Sequence, residues 1–268
     1  MNDNRYHHVS WLEGIDLFEA GFSDLSFSRH SHEGFAIGAI SHGVGGYFCR
    51  GENMVLPTGS LSLMNPEEAH TGQAHSPYLR YNMLYVTEDA VRRCLGLKHL
   101  PGFREVTPQD HGHQLSRSLA LLAQSLNGPK HAGLRLQVEE CIAESLAIAF
   151  ETHGRAAVRP AGWEPEAIRT VRAVIRDEVT TGADLSLSEL AGIAGLSPGY
   201  LVRSFARAYG MTPHAWLLQC RVNVARDHLL AGASGAEAAL EAGFCDQSHM
   251  IRQMRRFLGV TPKGIRVH

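Results

Sequence analysis

Histidine and arginine carry most of the chemical potential of this 268-residue chain. His30 and His32 stand two residues apart, and His70 closes the run LPTGSLSLMNPEEAH. Alternate residues of a strand project to one face, so the pair can share an interior. A third imidazole brought alongside makes a set of donors suited to zinc or iron, or to polar contact with a bound small molecule. Arg203 and Arg252 recur at matching positions of two similar segments, and a guanidinium can grip guanine bidentately or anchor on phosphate. The chain has no G-x-S-x-G, no phosphate loop of Walker type and no H-E-x-x-H, so it is not expected to be an enzyme. Cys49, Cys94, Cys141, Cys220 and Cys245 are scattered, without a C-x-x-C pair, and read as small buried hydrophobes.

The arginines sit in a degenerate internal repeat. Its first copy is SELAGIAGLSPGYLVRSFARAYGMTP and its second is AEAALEAGFCDQSHMIRQMRRFLGVTP. Each copy has the parts of a helix-turn-helix. A short helix carries a small residue, Ala191 or Ala239, where a second helix must approach closely. Gly195 or Gly243 follows to supply positive φ in the turn. An N-cap comes next, Ser197 with Pro198 in the first helical position, or Asp246. In the second helix Leu201 and Phe205, or Met250 and Met254, are expected in the core. Gly199, Tyr200, Val202, Arg203 and Arg207, or Gln247, Ser248, Ile251, Arg252 and Arg255, are expected outside, on the face that would enter a major groove. A long helix capped by Thr212 and entered by Pro213 runs to Gly232 between the copies. Eighteen residues from Pro213 to Leu230 span about 27 Å, which suits neighbouring major grooves that recur roughly every 34 Å.

Upstream, the first 90 residues read as short strands and glycine-rich turns, the pattern of a sandwich or small barrel. Two amphipathic helices follow, with Leu115, Leu119, Leu122 and Leu126 on one, and Leu134, Val138, Ile142, Leu146 and Phe150 on the other. Their stripes cover the β-rich domain, or part of the second pairs with its copy in a homodimer. The segment HGRAAVRPAGWEP reads as a linker. The resulting division is a sensing and dimerisation domain over 1–153, a linker over 154–163 and a double helix-turn-helix domain over 164–268. The formal net charge of −2 hides an asymmetry, since residues 197–268 hold nine basic against four acidic side chains. That stretch is the one to inspect for phosphate contacts. No run approaches the ~20 apolar residues of a membrane helix, and MNDNRYHHVSWLEG lacks the apolar core of a signal peptide, so a cytoplasmic protein is expected.

The region from about Ile168 to Arg266 resembles the DNA-binding domain of the AraC/XylS family of bacterial transcription regulators. The resemblance rests on Gly243, Phe244, Asp246, Gln247, Ser248 and His249, then Arg252, Gly259, Thr261, Pro262 and Arg266. Met254 stands where the family usually has Phe, and fills a core slot comparably. Gly199 offers no side chain to read a base. The resemblance implies an α+β two-domain fold, with an N-terminal cupin-like β-barrel or jelly roll, two flanking helices and a C-terminal all-α domain. It implies a sequence-specific DNA-binding regulator, an activator by family habit, with double-stranded DNA, RNA polymerase and a small-molecule effector as partners. Arg203 and Arg252 are expected at bases or phosphates, Tyr200, Val202, Gln247, Ser248 and Ile251 at bases, and Arg207, Arg255 and Arg256 at phosphates. His30, His32 and His70 resemble the cupin histidine pattern, but Ala36 and Ile37 stand where a metal cupin has its glutamate, and Glu33 points to the opposite face. The histidines, with Tyr47, are therefore expected to line an effector pocket, with no metal cofactor. A regulator without a small-molecule effector and a cupin metalloenzyme are the alternatives.

Overall fold

The computed structural model describes residues 4–23, 26–158, 162, 164–181, 184–258 and 260–264. Gly259 and Arg266, two residues of the motif above, lie outside them, as does part of the linker. The chain divides into two compact units, one of residues 1–127 and 141–159, the other of residues 128–140 and 160–268.

The first unit is built on two antiparallel sheets. Strands β1 (Arg5–His8), β2 (Ile15–Phe22), β4 (Phe35–His42), β7 (Leu61–Met64) and β9 (Leu79–Val86) form one sheet, in the order β1-β2-β9-β4-β7. Strands β3 (Ser26–His30), β5 (Val44–Cys49), β6 (Glu52–Pro57) and β8 (His70–Ala74) form the other, in the order β3-β8-β5-β6. Alternation along the strands turns Phe22, Ala36, Ile40, Met64 and Leu79 of the first sheet toward Tyr47, Cys49 and Leu56 of the second, giving one core between the layers. This is a cupin-like β-sandwich.

Helix α1 (Glu88–Leu95), which the hydrophobic pattern did not announce, starts on a Thr87 cap and ends at Gly96 with φ of +69°. Helix α2 (Gln114–Asn127) packs on β4 and β9 with Leu115, Leu119 and Leu122 fully buried. Helix α3 (Leu134–Ile148) has Val138, Ile142 and Leu146 buried within the single chain.

The second unit is helical. Helix α4 (Pro165–Thr181) packs on α5 (Leu187–Ala194), α6 (Pro198–Tyr209) and α7 (Pro213–Leu230) through Ile168, Val171, Ile175 and Val179. Helices α8 (Gly235–Glu241) and α9 (Gln247–Leu258) close against α7 in a separate core of Leu218, Val222, Ala239, Phe244, Met250 and Met254. The two helix-turn-helix pairs, α5–α6 and α8–α9, therefore have their own cores, joined by one 18-residue helix.

Candidate nucleic-acid interface and effector pocket

His30 ends β3, and His70, its direct partner across the ladder, begins β8. His32 was expected to share a strand with His30; it lies two residues past the strand end, where the chain turns toward β4. The three rings nonetheless converge, with centroids 4.5 Å apart for His30 and His70, 4.9 Å for His30 and His32, and 5.2 Å for His32 and His70. Their ligand nitrogens lie within 4.8 Å of one another. They line part of a cleft between the sheets with a cavity volume of about 80 Å³, whose other walls include Phe22, Ile40, Leu56 and Tyr81.

Hydrogen bonding fixes two of the imidazoles. A ring nitrogen facing a carbonyl must carry the proton, so His30 Nδ1 donates to the Ser28 carbonyl at 2.8 Å and His70 Nδ1 to the Glu68 carbonyl at 2.9 Å. In the neutral form of each ring this leaves Nε2 as the acceptor. Burial, then the neighbouring histidines, pushes His32 down to about 4, and burial also lowers His70. The loop behind His70 is held by Arg50, which pairs with Glu68 and donates to the Phe103 carbonyl at 3.0 Å. Tyr47 is buried and donates its hydroxyl to the Val106 carbonyl at 2.9 Å. Three convergent imidazoles, two of them oriented by backbone carbonyls, are a donor set that fits a divalent transition metal. Among the described residues no carboxylate joins them: Ala36 and Ile37 are core residues of β4 and Glu33 is exposed.

The helix-turn-helix pairs are built alike. Ser186 and Ser234 each form a capping box at the start of α5 and α8, with Glu189 and Glu237 returning to the cap nitrogen. Gly195 and Gly243 turn the chain with φ of +64° and +74°. Asp246 Oδ1 caps α9 by accepting from His249 N at 2.6 Å. Ser197 occupies the cap position of α6 but makes no side-chain cap bond, leaving Pro198 to start that helix. On α9, Gln247, Ser248, Arg252, Arg255 and Arg256 are exposed and Ile251 is half-buried, lying at helical spacing on one side.

Two family models match this architecture, an AraC-like ligand binding domain over residues 14–145 and a helix-turn-helix domain over residues 190–267. The chain belongs to the AraC family of transcriptional regulators. It is 29% identical over 230 residues to the uncharacterized HTH-type transcriptional regulator YbfI of Bacillus subtilis (strain 168), covering 84% of this chain and 81% of that one. It is 23% identical to the HTH-type transcriptional activator RhaS of Enterobacter sp. (strain 638), across 95% and 96% of the two chains. It is 27% identical to the transcriptional activator NphR of Rhodococcus sp., across 95% and 76%.

In this AraC-family regulator the two reading helices differ. Arg207 of α6 is exposed, but Arg203, expected at bases or phosphates, is half-buried with its Nε and Nη1 shut away from solvent, and Tyr200 and Val202, expected to face bases, are only 3% and 9% exposed. Tyr200 is held inward because its hydroxyl donates to Glu164 Oε1 at 3.1 Å, beneath Gly162, where a Cβ would lie 2.1 Å from the Tyr200 hydroxyl. Sequence spacing placed both residues on the outer side of α6, and the segment preceding α4 encloses Tyr200. No helix among the described residues is long and apolar enough to cross a membrane.

Proposed function

We propose that the chain is a transcription activator that reads double-stranded DNA chiefly through α9 and contacts phosphates from α6 through Arg207. The observation that carries this reading is the exposed side of α9, where Gln247, Ser248 and Arg252 lie beside Arg255 and Arg256 over a buried Met250–Met254 face. Gln and Arg in a major groove select adenine and guanine edges, and the last two arginines suit the backbone. Enrichment of duplexes from a random-sequence library by the full chain tests it, and a library that emerges unenriched overturns it. The partners proposed besides DNA are RNA polymerase and a small-molecule effector, in the cytoplasm where the DNA is.

We further propose that the effector binds in the cleft among His30, His32, His70 and Tyr47, with the imidazoles hydrogen-bonding to it. A metabolite that binds the folded chain raises its melting temperature by mass action, so a thermal-shift screen repeated on His70→Ala checks the location. The carbonyl-locked tautomers of His30 and His70 favour a second reading, in which the same three nitrogens hold a divalent metal that presents an open position to the effector. About one equivalent of zinc or iron in the purified chain, lost in His32→Ala, supports this second reading, and a metal-free wild type rules it out.

A further inference from the structure

Residues 128–140 fall inside the ligand-binding family match, which runs to residue 145, yet they pack as part of the helical unit. Two adjacent carboxylates at the end of this segment each close a different helix. Glu139, 4% exposed, accepts from Ser188 N at 3.1 Å in the first turn of α5, and its other oxygen accepts from Arg135 Nε at 3.1 Å. Glu140, 7% exposed, accepts from His214 N at 2.5 Å in the first turn of α7.

These bonds complete the caps that the helices supply for themselves. Ser186 Oγ takes Glu189 N at 3.0 Å and Thr212 Oγ1 takes Ala215 N at 3.3 Å, the third nitrogen of each helix. The second nitrogen of each is what the glutamate takes, and in α7 the first position is Pro213, which has no N–H to satisfy. A carboxylate there also faces the positive end of the helix dipole. The same segment reaches the second helix-turn-helix. Arg221 of α7, 1% exposed, donates Nη1 to the Ala132 carbonyl. Its guanidinium lies along the α8–α9 turn, where a Cβ on Gly243 would be 3.1 Å from Arg221 Nε. The His131 ring meets that of His249 on α9 with centroids 5.1 Å apart.

We infer that Glu139 and Glu140 are positioning residues for DNA binding: with the Ala132 carbonyl and Arg221 they fix α5, α7 and the α8–α9 turn to one short segment and so hold the two reading helices at a set separation. The inference rests on the DNA-binding reading above. Two reading helices act together only when their spacing matches successive grooves, whereas either alone is indifferent to it.

The test uses the full chain and two probes. One is a duplex that wild type enriches, and the other is the same duplex with the bases under one reading helix scrambled. The double variant Glu139→Ala/Glu140→Ala is expected to lose about 10-fold in affinity for the intact duplex, the size of one or two lost caps, while binding the scrambled duplex as wild type does. Glu139→Gln/Glu140→Gln, whose amide oxygens still accept the two N–H groups, is expected to recover most of the loss. Equal losses on both probes, no loss on the intact duplex, or no recovery with glutamine overturns the inference while leaving DNA binding standing. A wild type that enriches no duplex brings down both.

Discussion

Arg252 is exposed on the middle of α9, and Asp246, the residue just before that helix, fixes where it begins by capping His249 N. Arg252→Ala removes a side chain that packs against nothing in the core, so the expected result is an unchanged melting temperature. Affinity for the selected duplex should fall by about 1 to 3 kcal/mol, with relaxed preference at one base pair, as read by competition binding. His214 has a different kind of consequence. Its Nε2 is buried, and burial, reinforced by His131, Arg221, His249 and Arg256, pushes it down to about 3. A histidine whose folded pKa lies below the unfolded value of 6.5 contributes stability that is present above that value and lost as pH falls from 6.5 toward 3. At pH 5 the loss from this residue is about 2 kcal/mol, and His214→Gln should flatten that limb of the stability profile measured by urea unfolding. At this scale the sequence disclosed Gln247, Ser248, Arg252, Arg255 and Arg256, because helical spacing alone decides which side of α9 faces out. It did not disclose the fate of Tyr200 and Val202, since what encloses a side chain is set by distant segments that no local period records. Glu139 and Glu140 were invisible for the same reason: a carboxylate that caps another helix has no signature in its own.

The elements were more legible than the residues around them. The duplicated small residue, glycine and cap located both helix-turn-helix pairs, and Thr212 with Pro213 marked the start of α7, because these signals are local backbone chemistry. Helix α4 carries Ile168, Val171, Ile175 and Val179 at helical spacing, but its first turn merges with a proline- and glycine-bearing stretch that reads as linker. The short α1 holds too few turns for a period to stand out. The turns themselves make a graded prediction. Gly195 and Gly243 both have positive φ, which costs an alanine about 1 kcal/mol. Around Gly195 an added Cβ meets nothing within 4 Å, whereas at Gly243 it meets Arg221 Nε at 3.1 Å. Gly243→Ala should therefore lower the melting temperature more than Gly195→Ala, and the gap should shrink when Arg221 is also replaced by methionine.

Across the whole molecule, charge and function separate along the chain. The net charge of −2 is compatible with DNA binding because the last 72 residues hold nine basic and four acidic side chains. Binding should accordingly weaken with salt, and each phosphate contact removed should reduce the slope of log affinity against log salt by about 1. Arg255→Ala/Arg256→Ala is expected to reduce it by about 2 with little change in base preference; an unaltered slope in a salt titration would show that these arginines do not touch the backbone. The division into a β-rich and a helical part was readable from the switch between strand and helix periods. The place of residues 128–140 was not, because an amphipathic stripe says that something covers it and not what.

That placement has a practical consequence for dissection. Cutting the chain at the apparent linker, to begin a fragment at residue 164, discards the Ala132 carbonyl and both glutamate caps. Arg221 would keep its charge with one fewer acceptor, and the first turns of α5 and α7 would each expose a bare N–H. A fragment beginning at residue 128 keeps all of them, and should unfold at a higher temperature than the shorter piece. No single cut frees the DNA-reading half cleanly, because residues 141–159, downstream of both glutamate caps, belong to the β-rich unit.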